Sequence, residues 1–159
     1  MSVVIDANVL ATADGLADQA SGSCITDSVD VILAARDDSV ILDADGEVLR
    51  QYKRCYRASS PPSVAQEFLI YILNNEYVEP KVHRINAELN VDRGYEDFPI
   101  DPALDGFDRD DRVYVAVALA SGLTPPIQNA TDRDWWEFRE PLGAAGIEVN
   151  FICRDLMMD

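Results

Sequence analysis

The sequence has little lysine, histidine or cysteine, and it has no long hydrophobic run. Two of its 159 residues are lysine and one is histidine. No apolar stretch approaches the roughly 20 residues of a transmembrane helix, and the start of the chain reaches Asp6 without the basic region of a signal peptide. Three widely spaced cysteines predict no disulfide framework and are typical of a reducing compartment. We therefore expect a cytoplasmic protein without a membrane segment.

Acidic residues are abundant. There are 29 acids, of which 20 are aspartate, against 13 lysines and arginines, so the net charge is −16. A chain with this charge repels nucleic acid at long range. Most of the acids are expected to cover a solvated surface, and the alternative for a small subset is convergence on a metal ion. The 48% hydrophobic content predicts a single folded domain over residues 1–159.

Strand and helix patterns alternate along the chain. This alternation predicts an α/β fold of three layers, with helices on both faces of a central, mainly parallel sheet of four to five strands. Residues 12–25 read as a loop, and residues 76–106 read as a loop or insertion that holds a possible strand at 82–85. The predicted strands are 3–6, 39–43, 82–85, 127–129 and 147–152, and the predicted helices are 26–36, 47–57, 62–73, 108–121 and 135–142.

Several acids fall where these elements begin or end. Asp6 and Asp132 follow strands, Asp134 lies two residues further on, and Asp111 is in the first turn of a helix. Because the carboxyl ends of parallel strands meet at one edge of a sheet, these carboxylates are expected to crowd together. The repulsion between them is relieved by a divalent cation, and carboxylates without nearby histidine or cysteine favour Mg²⁺ or Mn²⁺ over zinc.

Each candidate ligand lies in a short motif. The motifs are Val-Val-Ile-Asp6-Ala-Asn8-Val-Leu, Asp111-Arg-Val-Tyr-Val-Ala-Val-Ala118 and Ala130-Thr-Asp132-Arg-Asp134-Trp135. In this order they resemble the PIN domain, a family of metal-dependent ribonucleases. The resemblance implies a metal-dependent endoribonuclease that hydrolyses RNA phosphodiester bonds and leaves a 5′-phosphate. Asp6, Asp111 and Asp132 would be catalytic and would hold the metal with Asp134. It further implies a toxin of a toxin–antitoxin pair, a basic antitoxin-like partner and a homodimer.

The chain departs from the family pattern on the helix that follows the second predicted strand. Where the family has a glutamate, this sequence has Gln51, which supplies no charge; Glu47 lies one helical turn earlier on the same face and is a candidate ligand. Ala130 also stands where the family has threonine. These departures leave open a catalytically weak or inactive PIN-like module that binds or regulates.

Basic residues suggest where a substrate would bind. Arg50, Lys53, Arg54 and Arg57 recur at helical spacing and are expected to share one face, either contacting phosphate or merely solvated. Arg112, next to a candidate ligand, is a further candidate phosphate contact, and Asn8 is a candidate substrate contact or the residue that fixes its turn.

Two tryptophans follow the last candidate ligand. Trp135 occupies an apolar position of the family pattern and is expected to pack in the core. Trp136 is assigned either to the core or to a half-exposed position that stacks on a base or meets a partner.

Overall fold

The computed structural model describes residues 1–158 and contains a central sheet of five strands. These are β1 (Ser2–Ile5), β2 (Ser39–Asp43), β3 (Val82–Ile85), β6 (Ile127–Asn129) and β7 (Val149–Phe151). Their order is β3-β2-β1-β6-β7, and every neighbouring pair is parallel. A separate antiparallel hairpin is formed by β4 (Leu89–Asn90) and β5 (Gly94–Tyr95). The predicted α/β class and parallel sheet are confirmed.

Seven α-helices lie among the described residues. They are α1 (Ala7–Ala13), α2 (Gly22–Ala35), α3 (Glu47–Arg54), α4 (Val64–Asn75), α5 (Arg112–Ser121), α6 (Arg133–Glu137) and α7 (Arg139–Ala144). The apolar residues of β1 show why the sheet needs helices on both faces. Successive strand residues point to opposite faces, yet Val3, Val4 and Ile5 are all at most 5% exposed. The predicted three-layer α/β/α arrangement is confirmed.

The chain changes direction across the sheet at β1. From β1 it passes to β2 and then β3 on one side, and it later returns to place β6 on the other side of β1. The carboxyl ends of β1 and β6 therefore adjoin at the point where the strand order reverses, which is where open parallel sheets form their ligand crevices. Asp6 directly follows β1, and Asp132 follows β6 by three residues.

The largest differences from the predicted elements lie near the N-terminus. Helix α1 was not predicted, and α2 begins at Gly22 inside a predicted loop. The side chain of Asp6 accepts a hydrogen bond at the start of α1, and Ser21 does the same for α2. The capping residue of α2 is thus Ser21, and the helix begins four residues before the predicted start at 26, because serine hydroxyls satisfy the open amides of a first turn.

Helix boundaries differ elsewhere too. Helix α3 ends at Arg54, three residues before the prediction, and the predicted helix at 108–121 begins as a 3₁₀ turn over Arg109–Asp111. That helix ends at Gly122 with a φ of 67°, as expected for a glycine in the left-handed region. The predicted loop 76–106 contains the β4–β5 hairpin and a 3₁₀ turn over Pro102–Leu104.

The prediction that the cysteines form no disulfide is wrong for one pair. Cys24 and Cys153 are disulfide-bonded with their Cα atoms 5.2 Å apart, and Cys55 is unpaired. The pair is separated by 129 residues, so spacing along the chain gave no sign of it. The fold makes the contact because the segment after β7 packs against the first turn of α2. No helix within residues 1–158 has the length and apolar content needed to cross a bilayer.

Candidate metal centre

Asp6 lies where β1 passes into α1. Its Oδ1 accepts a hydrogen bond from the amide of Asn8 at 2.9 Å, and its Oδ2 accepts one from the indole Nε1 of Trp135 at 2.8 Å. The residue is 4% exposed. Burial is the main cause that raises the pKa of Asp6 from 3.8 to about 6, and the negative charge of Asp132 adds to it. Two donors therefore orient a carboxylate that the fold has largely removed from water.

Asp111 is the most strongly perturbed acid. It ends the 3₁₀ turn before α5, it is 8% exposed, and its Oδ2 is buried without a hydrogen-bond partner among the described residues. Burial raises the pKa of Asp111 from 3.8 to about 10, helped by the charges of Asp6 and Asp132. A buried oxygen without a donor is costly, so this oxygen could accept a positively charged ligand.

Asp132 is held by the turn between β6 and α6. Its side chain accepts a hydrogen bond from the amide of Asp134 at 2.9 Å and so caps α6. The side chain of Asn129 holds the backbone of this turn from within, since it accepts from the Asp132 amide at 3.3 Å and donates to the Asp132 carbonyl at 3.1 Å.

The three carboxylates converge. One oxygen of each of Asp6, Asp111 and Asp132 lies within 4.8 Å of the others. Three acids at this separation repel one another strongly in a buried setting. Oxygen ligands without histidine or cysteine suit a hard cation such as Mg²⁺ or Mn²⁺. The residues thus fit the metal that the sequence predicted, in donor chemistry and in the unpartnered Asp111 oxygen.

Asp134 and Glu47, the other two predicted ligands, are outside this group of three. The Oδ2 of Asp134 accepts from the amide of Asp108 at 2.9 Å, and burial raises its pKa. The carboxylate of Glu47 is engaged by the guanidinium of Arg50 and by Nε2 of Gln51 at 3.2 Å. Each carboxylate therefore accepts hydrogen bonds outside the cluster of three.

Gln51, which stands at the glutamate position of the family pattern, is buried beside the cluster. Its Oε1 accepts from the hydroxyl of Tyr114 at 2.7 Å, and its Nε2 donates to the carbonyl of Asp110 at 2.8 Å. Tyr114 in turn accepts from the amide of Ala7 at 3.1 Å. This chain of hydrogen bonds ties α3, α5 and the start of α1 together behind the acids.

Asn8 has a bridging role. Its Oδ1 accepts from the amides of Ala130 and Thr131, at 2.8 and 3.2 Å, and its Nδ2 donates to Asn129 at 2.8 Å. The side chain thereby holds the turn that carries Asp132 against α1. Of the two roles predicted for Asn8, the structure shows the positioning of a turn, although the turn is a distant one.

The arginines predicted to contact substrate divide into two kinds. Arg50 and Arg54 are exposed on α3, whereas Arg57 lies beyond the end of that helix and does not continue its face. Arg112 is 4% exposed, and its guanidinium donates to four backbone carbonyls, which belong to Arg93, Leu104, Asp105 and Phe107. The side chain of Arg112 is therefore engaged in holding the 93–107 segment, a role that the sequence did not predict, and the phosphate contact stays a prediction.

Trp135 combines a predicted and an unpredicted feature. The indole is fully buried, as expected for a packing residue, and it lies edge-on to Phe107 with 5.0 Å between ring centres. Its hydrogen bond to Asp6 was not predicted, because an apolar position in a pattern does not show where an N–H points. A tryptophan at this apolar position, three residues after Asp132, was the available signal, because its ring carries an N–H donor.

Comparison with known proteins gives no family assignment. No family model, no curated protein and no solved structure matches this chain. The site is therefore interpreted from its own geometry and chemistry.

Proposed function

We propose that this protein is a divalent-metal-dependent ribonuclease of the PIN type. The observation that carries the proposal is the convergence of Asp6, Asp111 and Asp132 within 4.8 Å, at the reversal point of a parallel sheet. The three acids come from three separate segments of the chain, and these are the segments that carry the sequence resemblance. Mg²⁺ is the proposed cofactor, with Mn²⁺ as a substitute.

The carboxylates would hold the ion in different ways. Asp6 would bind with its two oxygens already oriented by Asn8 and Trp135, and Asp111 would offer the oxygen that has no donor. A bound ion would supply water activation and stabilisation of the leaving oxygen of a phosphodiester. Binding would release the protons that the raised pKa values of Asp6 and Asp111 hold, so affinity should rise with pH.

RNA would reach the centre past exposed cations. Arg50 and Arg54 lie on α3, the helix that carries Gln51 beside the acids. Arg50 is partly neutralised by Glu47, which limits its pull on a polyanion. The remaining negative surface would exclude nucleic acid from most other faces. A basic antitoxin-like protein and a second copy of the chain are the partners proposed from the resemblance.

A catalytically weak or inactive PIN-like module is the second candidate, and Gln51 favours it. The amide is neutral, and both of its polar atoms are already engaged within the protein. Three carboxylates would then bind metal without the full charge that the family pattern provides. Activity gained by Gln51→Glu, with none in the wild type, would support this candidate.

The proposal is tested by cleavage of a mixed single-stranded RNA pool with Mg²⁺ or Mn²⁺. Wild type should cut only with metal. Asp6→Asn should lose more than the roughly 10- to 100-fold typical of residues that merely support a ligand. Asp30→Asn is the matched control, because Asp30 is an exposed acid in the middle of α2. Equal cutting by wild type and Asp6→Asn, both correctly folded by circular dichroism, would refute the proposal.

A further inference from the structure

Trp136, Arg139 and Arg154 form a small cationic and aromatic surface, here called the Trp136 patch. The guanidinium carbons of Arg139 and Arg154 lie 4.0 and 5.3 Å from the centre of the Trp136 ring. Phe151 packs edge-on against the same ring at 5.1 Å. Both arginines are exposed and the tryptophan is half-buried. Phe151 thus supports the ring of Trp136, while the two arginines stay in contact with solvent.

The patch lies along the same edge of the sheet as the acid cluster. Trp136 is four residues after Asp132, on the helix that Asp132 caps. Phe151 is the last residue of β7, and Arg154 follows it by three residues. The order β1-β6-β7 places the end of β7 two strands from Asp6, which corresponds to about 10 Å.

The charge of the patch is unusual in this chain. The net charge is −16, yet within residues 1–158 no carboxylate forms an ion pair with Arg139 or Arg154. Arg50, by contrast, is paired with Glu47. Two arginines without an ion pair among the described residues lie against an aromatic ring. Together they provide the elements used to bind single strands: charge for the backbone and flat groups on which a base can stack.

We infer that the Trp136 patch binds single-stranded RNA on one side of the cleaved phosphodiester. A base would stack against Trp136 or the guanidinium planes beside it, and the two arginines would contact phosphates. The inference rests on the proposed function for the identity of the ligand. The inference adds the path of the RNA to that proposal, since the RNA strand would run from the acids across β6 towards β7.

Binding is measured with a fluorescein-labelled oligouridylate of about twelve nucleotides, a length within the range that single-strand sites cover. The titrations contain EDTA, so that no metal-dependent cutting occurs, and they are repeated over a series of salt concentrations. Arg139→Gln/Arg154→Gln should weaken binding and reduce the slope of log K against log salt by about 1.4, which is 0.7 for each lost phosphate contact. Lys81→Gln/Arg84→Gln removes two charges at β3, the opposite edge, and should leave the slope unchanged.

Trp136 is tested separately. Trp136→Ala should weaken binding by about 5- to 100-fold, the range for one lost stacking platform. Trp136→Phe keeps the packing on Phe151 and guards against a folding defect; it should retain most of the affinity but lose the quenching of tryptophan fluorescence that the oligonucleotide causes in wild type. Fluorescence quenching that persists in Trp136→Phe would overturn the stacking role.

The two proposals fail in different ways. Binding that depends on the patch, without any metal-dependent cleavage, would refute the ribonuclease and leave the patch. Cleavage by a protein whose affinity and salt slope are the same in wild type and Arg139→Gln/Arg154→Gln would refute the patch and leave the ribonuclease.

Discussion

Replacement of Asp111 by asparagine should stabilise the metal-free protein. The pKa of Asp111 is about 10 in the folded chain and 3.8 for an ordinary aspartate. Near pH 7, about three pH units above the ordinary pKa, this carboxyl is ionised in the unfolded chain and protonated in the folded chain. Taking up the proton on folding therefore costs about 4 kcal/mol, at 1.36 kcal/mol for each unit. Asparagine keeps the shape without this cost, and its amide can donate to the neighbouring carboxylates.

The sign of the pH dependence follows from the raised pKa. Below about pH 4, Asp111 is protonated in the folded and the unfolded chain, so it does not lower the free energy of unfolding. As the pH rises towards 10, the unfolded chain loses this proton and the free energy of unfolding falls. The advantage of Asp111→Asn should thus be small near pH 4 and grow with pH. A gain of 2–4 kcal/mol near pH 7 corresponds to roughly 4–16 °C in Tm for a domain of this size.

Thermal unfolding by circular dichroism in EDTA, at several pH values, measures this directly. Asp30→Asn, which also removes one acid but from an exposed position, should change Tm by far less. Saturating Mg²⁺ should stabilise wild type and not Asp111→Asn, because only a folded site binds the ion. The reasoning is refuted if Asp111→Asn lowers Tm in EDTA near pH 7, or if its gain does not change with pH.

Three further changes test the contacts of Trp135, of Gln51 and of the Cys24–Cys153 disulfide. Trp135→Phe removes the indole donor from Asp6 and should weaken Mn²⁺ binding by about 10- to 100-fold, measured by calorimetry, while the packed ring is kept; unchanged affinity would show that the indole does not orient the ligand. Gln51→Glu loses the donor to the Asp110 carbonyl and buries a fourth charge, so it should lower the free energy of unfolding in EDTA by roughly 1–3 kcal/mol in urea titrations; a more stable variant would contradict this. Reduction of the Cys24 disulfide should lower that free energy by about 2–4 kcal/mol in the same assay, and Cys24→Ser should be insensitive to reductant.

The sheet was predictable because its strands are short apolar runs with an acid or a turn after them. Asp6 and Asp132 could be placed at one edge for the same reason, since parallel strands present their carboxyl ends together. The position of Asp111 in a first helical turn is weaker evidence, because acids are favoured at helix starts for reasons unrelated to metal, and the family resemblance added support for it.

Other features depend on contacts between distant segments. Asp134 was a reasonable fourth ligand by spacing. Its carboxylate accepts a hydrogen bond from the amide of Asp108, which lies 26 residues earlier in the chain. Arg112 adjoins Asp111 in sequence, yet its side chain turns to the carbonyls of the 93–107 segment. Neither outcome follows from local pattern, because each depends on where a loop passes in the folded chain.

The central claim is that Asp6, Asp111 and Asp132 bind a divalent cation together. The most direct test is a calorimetric titration of the metal-free protein with Mn²⁺, using wild type, Asp111→Asn and the exposed control Asp30→Asn. We expect saturable binding that releases protons in wild type and in Asp30→Asn, and none in Asp111→Asn. Equal binding by Asp111→Asn, or no saturable binding by wild type, would contradict the claim.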